Sequence, residues 1–255
     1  MDCTRRGFVT RLGLILAGTS VGGAWEDPAA SAGSSPFAAQ HEEHSKQPLT
    51  THAQGNEENK LAAAEEIWAK LLEGNKRFVA GKLLSRDLVA GRTSVLAGQQ
   101  PQAVVLGCSD SRISPPIVFD QGIGEILEVR TAGNVVDAVG MGSIEYALLH
   151  MPIRILVILG HEKCGAVKAA ASGQKMPTEN LQAIIDKIAP AIAKVPGDHT
   201  TQEFLRKAEE ANVVRCAADL LANSPIVLRE TAASNVEIIK AIYSLKTGQV
   251  RRLVG

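Results

Sequence analysis

The sequence predicts an α/β protein with a mainly parallel central sheet flanked by helices, an N-terminal helical arm and a short C-terminal strand. Short, wholly apolar runs alternate along the chain with segments of helical spacing, which is the pattern of parallel strands joined by crossover helices. Glycine or proline bounds the strongest of these runs, as is typical of strands buried on both faces. The 255 residues are 45% hydrophobic, which is an ordinary composition for a globular protein.

Each element follows from a local pattern. The arm, residues 61–81, carries an apolar stripe through Ile67, Trp68 and Leu71 and ends at Gly81. Near the C-terminus, a segment at 236–244 and a turn at 246–248 precede the last predicted strand. The other predicted elements are strands at 103–106, 126–129, 153–159 and 249–253, and helices at 141–149, 166–172, 181–194 and 201–223. In such a sheet, functional groups gather at the carboxyl ends of the strands.

Residues 1–32 have the layout of a signal peptide of the twin-arginine type. Arg5 and Arg6 precede a short apolar stretch at 12–18, and small residues follow. We therefore expect export by the twin-arginine route to the periplasm or another extracytoplasmic compartment. The candidate cleavage points lie after the small residues near Ala24 and Ala32.

The remaining chain divides into a predicted flexible linker at 33–60, polar and without period, and a predicted catalytic domain at 61–255. The charge balance of 27 basic and 27 acidic residues gives no reason to expect nucleic-acid binding. No run approaches the ~18 apolar residues of a membrane span, so no stable span is expected in the mature chain.

Two loops carry residues suited to metal chemistry, and each directly follows a predicted strand. The first reads Cys-Ser-Asp-Ser-Arg at 108–112, and the second reads His-Glu-Lys-Cys at 161–164. If the two strands are parallel neighbours, their ends bring Cys108, His161 and Cys164 together. Two thiolates and an imidazole suit zinc, and three protein ligands leave a fourth position for water, as in catalytic zinc sites.

Asp110 and Arg112 are candidate catalytic residues because they lie beside this group. A zinc ion with two thiolates is formally neutral and acidifies water less than one held by three imidazoles, so neighbouring groups must help. Arg112 can hold the Asp110 carboxylate in a bidentate grip. Held there, Asp110 would orient the nucleophile; released, it would become a fourth metal ligand that closes the site. The sequence leaves both states open.

These segments resemble the β-class carbonic anhydrases, whose signatures are Cys-x-Asp-x-Arg and His-x-x-Cys after successive strands. The resemblance extends from residue 61 to the C-terminus and is densest over 98–168. It implies zinc-dependent, reversible hydration of carbon dioxide to bicarbonate and a proton. By this resemblance Cys108, His161 and Cys164 bind Zn²⁺, and the 110–112 dyad orients an attacking zinc-bound hydroxide.

The resemblance also implies three substrate-binding positions: Gln99, Leu127 and Gly133. Gln99 falls at a position whose amide helps to hold substrate, in some members across the dimer interface. Leu127 stands where some members carry phenylalanine, which keeps the pocket wall apolar but changes its shape. Residues 132–142 contain no aromatic residue to match the tyrosine that some members place there.

Members of that family are at least dimeric, so a homodimer or higher even oligomer is expected. The helix at 61–81 is a candidate for an arm that wraps a neighbour, because its apolar stripe would be exposed if unpaired. Two alternative functions stay open at this point. One is hydrolysis of carbonyl sulfide or carbon disulfide on the same fold, and the other is a non-catalytic zinc- or bicarbonate-sensing module.

Overall fold

A five-stranded sheet organises the computed structural model, which describes residues 57–254. The spatial order is β2-β1-β3-β4-β5; the first three neighbouring pairs are parallel, and β5 is antiparallel to β4. This arrangement confirms the predicted fold class. The strands are β1 (Ala103–Cys108), β2 (Ile126–Thr131), β3 (Ile155–His161), β4 (Glu237–Tyr243) and β5 (Val250–Arg252).

Helices connect the strands and cover the sheet. The α-helices of the described residues are α1 (Glu57–Val79), α2 (Leu88–Ser94), α3 (Pro115–Val118), α4 (Ala138–His150), α5 (Gly165–Ala171), α6 (Glu179–Ile192), α7 (Gln202–Asn223) and α8 (Pro225–Ala232). A single 3₁₀ turn, Ala132–Asn134, follows β2 directly. Among these helices, none is long and apolar enough to cross a membrane.

The predicted boundaries differ from the observed ones at a few places. Helix α1 begins at Glu57, so residues 57–60 of the predicted linker are helical. The predicted signal peptide and the rest of the predicted linker lie outside the described residues. Helices α2, α3 and α8 were not predicted, since each is short and carries no long apolar period.

Apolar side chains fill both faces of the sheet. Every residue of β1 and β3 is buried, because each strand has sheet neighbours on both sides and packed layers above and below it. Leu156 and Ile158 belong to a cluster with residues of α4 and α7, whereas Ile155 and Val157 belong to a cluster that includes Trp68 of α1. Full burial of each such side chain contributes roughly 1.5–3 kcal/mol.

The apolar stripe of α1 is buried within its own chain, which corrects one expectation. Trp68 is 4% exposed and Leu71 is 2% exposed, and the Trp68 ring packs edge-on against Phe119 at 6.2 Å. The stripe therefore has partners without a neighbouring molecule. The expectation that the stripe would be exposed without a neighbouring subunit is wrong, because the sheet of the same chain covers it; a role of α1 as an arm around a neighbour stays a prediction.

The register of β1 and β3 positions the functional loops. Gly107 pairs with Leu159, so Cys108 and the end of β3 at His161 come to the same edge of the sheet. Both strands run two residues beyond their predicted ends, and the first residue of each chemical motif lies in the strand itself. The backbone of these residues is thus fixed by the sheet rather than by a free loop.

Candidate metal centre

Three ligand atoms converge at the carboxyl edge of the sheet. One ligand atom each of Cys108, His161 and Cys164 lies within 4.8 Å of the other two, and all three residues are buried. Cys108 ends β1, His161 ends β3, and Cys164 is the residue before α5. The structure therefore brings together the three residues that the sequence predicted as metal ligands.

The histidine is oriented to offer its Nε2 atom. His161 Nδ1 lies 2.9 Å from the carbonyl oxygen of Glu162, so Nδ1 carries the proton and Nε2 carries the lone pair. His161 Nε2 is buried and makes no hydrogen bond. An unpartnered buried nitrogen is costly unless it has a ligand, and two thiols beside it complete a donor set that fits a metal ion.

A hydrogen bond joins the two thiols, and it changes how readily each of them loses its proton when a metal binds. The hydrogen bond from Cys164 lowers the pKa of Cys108 well below its usual value. The same hydrogen bond raises the pKa of Cys164, since its proton is the one donated. One thiolate therefore forms readily, and a metal ion must displace the second proton, which makes its affinity depend on pH.

The Cys108 side of the site is held by the segment after β2. The Gly133 N–H donates to Cys108 Sγ at 3.3 Å. Arg130 donates to three backbone carbonyl oxygens of the loop after β1: those of Cys108 at 3.0 Å, Asp110 at 2.8 Å and Ile113 at 2.6 Å. One guanidinium thus fixes the loop that carries both a metal ligand and the predicted dyad.

The Cys164 side of the site is held by α7. The Cys164 N–H donates to Glu209 Oε1 at 3.0 Å. Burial raises the pKa of Glu209 to about 7. Sequence reasoning missed Arg130 and Glu209 as functional residues, because neither stands at ligand spacing and only the tertiary fold brings each one to the loops.

Asp110 and Arg112 form the predicted pair. Arg112 Nε donates to Asp110 Oδ1 at 2.8 Å and Nη2 donates to Oδ2 at 2.6 Å, which is a bidentate contact. The Arg112 side chain also bonds the carbonyl oxygen of Lys163 at 3.3 Å. The hydrogen bond from Arg112 holds the pKa of Asp110 far below its usual range, so this carboxyl is ionised throughout the neutral range.

The predicted substrate-binding residues have different positions. Gly133 lies beside Cys108 Sγ. Leu127 pairs with Val104, four positions before Cys108, which is about 13 Å along the strand. Gln99 is exposed and precedes β1, at the opposite end of that strand from Cys108. Within one chain, neither Leu127 nor Gln99 lies beside the ligand group.

A cavity of about 1040 Å³ opens beside Cys164. Its wall combines the ligand loop with α7 and the segment after β4, and it includes Arg112, Glu209 and Tyr243. No sequence pattern predicted this cavity, because its walls come from segments far apart in the chain. It gives solvent a route to the ligand loop.

The fold is an α/β fold, and its site offers a Cys–His–Cys group that fits a metal ion. The sequence model of the carbonic anhydrase family matches residues 103–250. "Carbonic anhydrase 2" of Mycobacterium tuberculosis is 37% identical over 188 residues, which is 71% of this chain and 89% of that protein. The chain therefore belongs to the carbonic anhydrase family, and the first of the solved structures below supports its place in the β class.

Two solved structures illustrate the likeness. A Coccomyxa β-carbonic anhydrase in complex with acetazolamide has 27% identity and a TM-score of 0.59, covering 76% of this chain and 85% of that one. One of two β-carbonic anhydrases from Sordaria macrospora, described as tetrameric, has 21% identity and a TM-score of 0.57, covering 64% of this chain and 86% of that one. The second likeness shows the fold alone.

Gly133→Ala is expected to damage the ligand group through the backbone. Gly133 has φ 69°, and a Cβ there would lie 2.7 Å from Ile188 Cδ1. We expect a loss of about 2 kcal/mol in the free energy of unfolding, from strain and overpacking together. We also expect weaker metal binding, because the N–H that reaches Cys108 must shift. Urea unfolding and metal titration measure the two effects.

The double variant Gly133→Ala with Ile188→Val tests the stated cause. Ile188→Val removes Cδ1, the atom that the new methyl group would strike. The second substitution should therefore recover part of the stability lost in Gly133→Ala, although alone it costs about 1 kcal/mol. Strictly additive losses would contradict a clash between these two residues.

Proposed function

We propose that this chain is a zinc enzyme that catalyses the reversible hydration of carbon dioxide to bicarbonate and a proton. The observation that carries the proposal is the buried Cys108–His161–Cys164 group, whose unpartnered Nε2 faces two thiols, next to the bidentate Asp110–Arg112 pair. Membership of the carbonic anhydrase family supports the reaction, since carbon dioxide hydration is the general reaction of that family.

Zinc is the metal that this donor set favours. Two thiolates and one imidazole suit a borderline-soft divalent ion, and three protein ligands leave one position for an exchangeable group. Cys108, His161 and Cys164 would hold the ion. When bound, zinc supplies Lewis acidity, which makes a water molecule ionisable near neutral pH.

The role of Asp110 follows from its charge and its partner. Because Arg112 keeps Asp110 ionised, this carboxylate accepts a hydrogen bond at neutral pH and does not itself store the proton. It therefore orients the nucleophilic water rather than acting as its general base. Since Arg112 occupies the carboxylate in a bidentate contact, the geometry favours the state in which Asp110 is not a metal ligand.

Apolar side chains pack against the ligand group. Cys108 and Cys164 belong to one buried apolar cluster with Val135, Val167 and Ile188. By excluding water on this side, the cluster strengthens electrostatic interactions at the ligands.

Stopped-flow hydration of carbon dioxide by the zinc-loaded protein tests the proposal. Activity should rise between about pH 6.5 and 9, a range that brackets the nearly neutral pKa of water activated by zinc. Asp110→Asn should lower kcat/KM by at least about 100-fold, because it removes the charged acceptor that orients the nucleophile. Zinc content, measured by metal analysis, should be unchanged in this variant.

Asp186→Asn is the matched control. Asp186 lies on α6, and its exposed carboxylate bonds Gln182. This variant should hydrate carbon dioxide at the wild-type rate. Absence of hydration at every pH in a fully zinc-loaded wild-type protein would contradict the proposed function.

We infer that the functional unit is a homodimer or a higher even oligomer. A surface of exposed apolar side chains flanks the edge strand β2, and its members include Leu83, Leu84, Leu88, Ile117 and Ile123. Contiguous exposed apolar patches of this kind are typical of protein interfaces. A second copy on this surface would also allow Gln99 to serve the partner's site, since Gln99 is remote from the site of its own chain.

Leu84→Glu is expected to weaken the dimer. Leu84 is 53% exposed within this surface, and Leu228 on α8 is equally exposed at 53%. Static light scattering should give at least twice the monomer mass for the wild type and for Leu228→Glu, and a lower mass for Leu84→Glu. A wild-type monomer at micromolar concentration would overturn the proposed assembly.

We propose that residues 1–32 direct export by the twin-arginine route to the periplasm or another extracytoplasmic compartment. The support is the arginine pair at 5 and 6 followed by an apolar stretch and small residues. This route would suit a protein whose thiolates are protected by metal before they reach an oxidising compartment.

Replacement of Arg5 and Arg6 by lysine should block this export. In a bacterial host with the twin-arginine machinery, cell fractionation should find a shortened wild-type protein outside the cytoplasm and a full-length double variant inside it. Arg11→Lys, which keeps the pair, should behave as wild type. Equal export of the double variant would exclude a twin-arginine signal.

A further inference from the structure

Glu209 is a buried carboxylate that reaches the ligand loop from another part of the fold. It lies on α7 and is 6% exposed, whereas its neighbour Glu210 is half-buried and paired with Arg206 and Arg251. The Glu209 carboxylate accepts a hydrogen bond from the backbone N–H of Cys164 at 3.0 Å. The contact spans 45 positions of the chain.

The loop that donates this hydrogen bond has a conformation that needs support from its surroundings. Lys163, between the two ligands His161 and Cys164, has φ 55°. A non-glycine residue in this left-handed region is strained and persists only where the surrounding structure fixes it. Here the surroundings act from two sides: Arg112 donates to the Lys163 carbonyl oxygen at 3.3 Å, and Glu209 accepts from the N–H of Cys164, the next residue.

A buried carboxylate is unfavourable unless it is bonded, and the bond that Glu209 makes is to the ligand loop. Its acceptor oxygen holds the backbone N–H of Cys164 itself, at the point where the chain turns into α5. A shift of this peptide would move Cys164 Sγ relative to His161 Nε2.

We propose that Glu209 is a positioning residue that holds the 161–164 loop in its metal-binding conformation before the metal arrives. The inference rests on the proposed zinc function, because it assigns Glu209 to the geometry of that same ligand group. Partners of this kind, outside the ligands themselves, set ligand orientation, and their loss lowers metal affinity by roughly 10–100-fold. Glu209 acts through the backbone of Cys164 and is not itself a ligand.

Zinc affinity of the full chain, measured by competition with a chromophoric chelator, tests this role. Glu209→Ala should weaken zinc binding by at least about tenfold, because the ligand loop is no longer held. Glu209→Gln keeps an acceptor oxygen at the same reach and should stay within about threefold of the wild type. The visible spectrum of the cobalt-substituted protein should change in Glu209→Ala and be preserved in Glu209→Gln.

Glu210→Gln is the matched control, since it removes a carboxylate from the next position of the same helix without touching the ligand loop. It should bind zinc as the wild type does. The inference would be overturned if Glu209→Ala kept the wild-type zinc affinity and cobalt spectrum. It would also be overturned if Glu209→Gln and Glu210→Gln weakened zinc binding to the same extent. A wild-type protein that binds no zinc would instead overturn the proposed function, so the two failures are distinguishable.

Discussion

Parallel pairing of β1 with β3 is the constraint on which the site depends. Because the strands run side by side in the same direction, their carboxyl ends meet at one edge, and that edge holds Cys108 and His161. Two ligands are therefore set by backbone hydrogen bonds of the buried sheet, which is among the most rigid parts of a fold. Of the three ligands only Cys164 lies outside a strand, and Glu209 supports its loop.

The rest of the site is a set of backbone contacts that fix these ligands. Gly133 reaches Cys108 Sγ, Arg130 holds the loop after β1, and Glu209 holds the loop after β3. Arg112 links the two loops, because it grips Asp110 in one and bonds Lys163 in the other. The pair proposed to orient the nucleophile is thus also part of the framework that shapes the ligand group.

Sequence patterns predicted the fold class and the convergence of Cys108, His161 and Cys164, because each chemical motif directly follows an apolar strand and parallel neighbouring strands end at one edge. Glu209 could not be predicted, since a glutamate within a helical segment looks like any solvated charge until the fold buries it. The prediction that the apolar stripe of α1 would be exposed without a partner was wrong for a similar reason. An amphipathic stripe shows that a helix packs against something, but not against which chain. Gln99 and Leu127 lie far from the ligands of their own chain, so their roles stay predictions for an assembly.

X-ray absorption at the zinc edge tests the central claim most directly, since it reports the atoms around the metal without reference to activity. For the full chain loaded with one equivalent of zinc, the account predicts two sulfur ligands at about 2.3 Å, with the remaining ligands nitrogen or oxygen at about 2.0–2.1 Å. Replacement of Cys164 by serine should reduce the sulfur count to one. A shell of nitrogen and oxygen alone, or of four sulfurs, would contradict the assignment of Cys108, His161 and Cys164 as the metal centre.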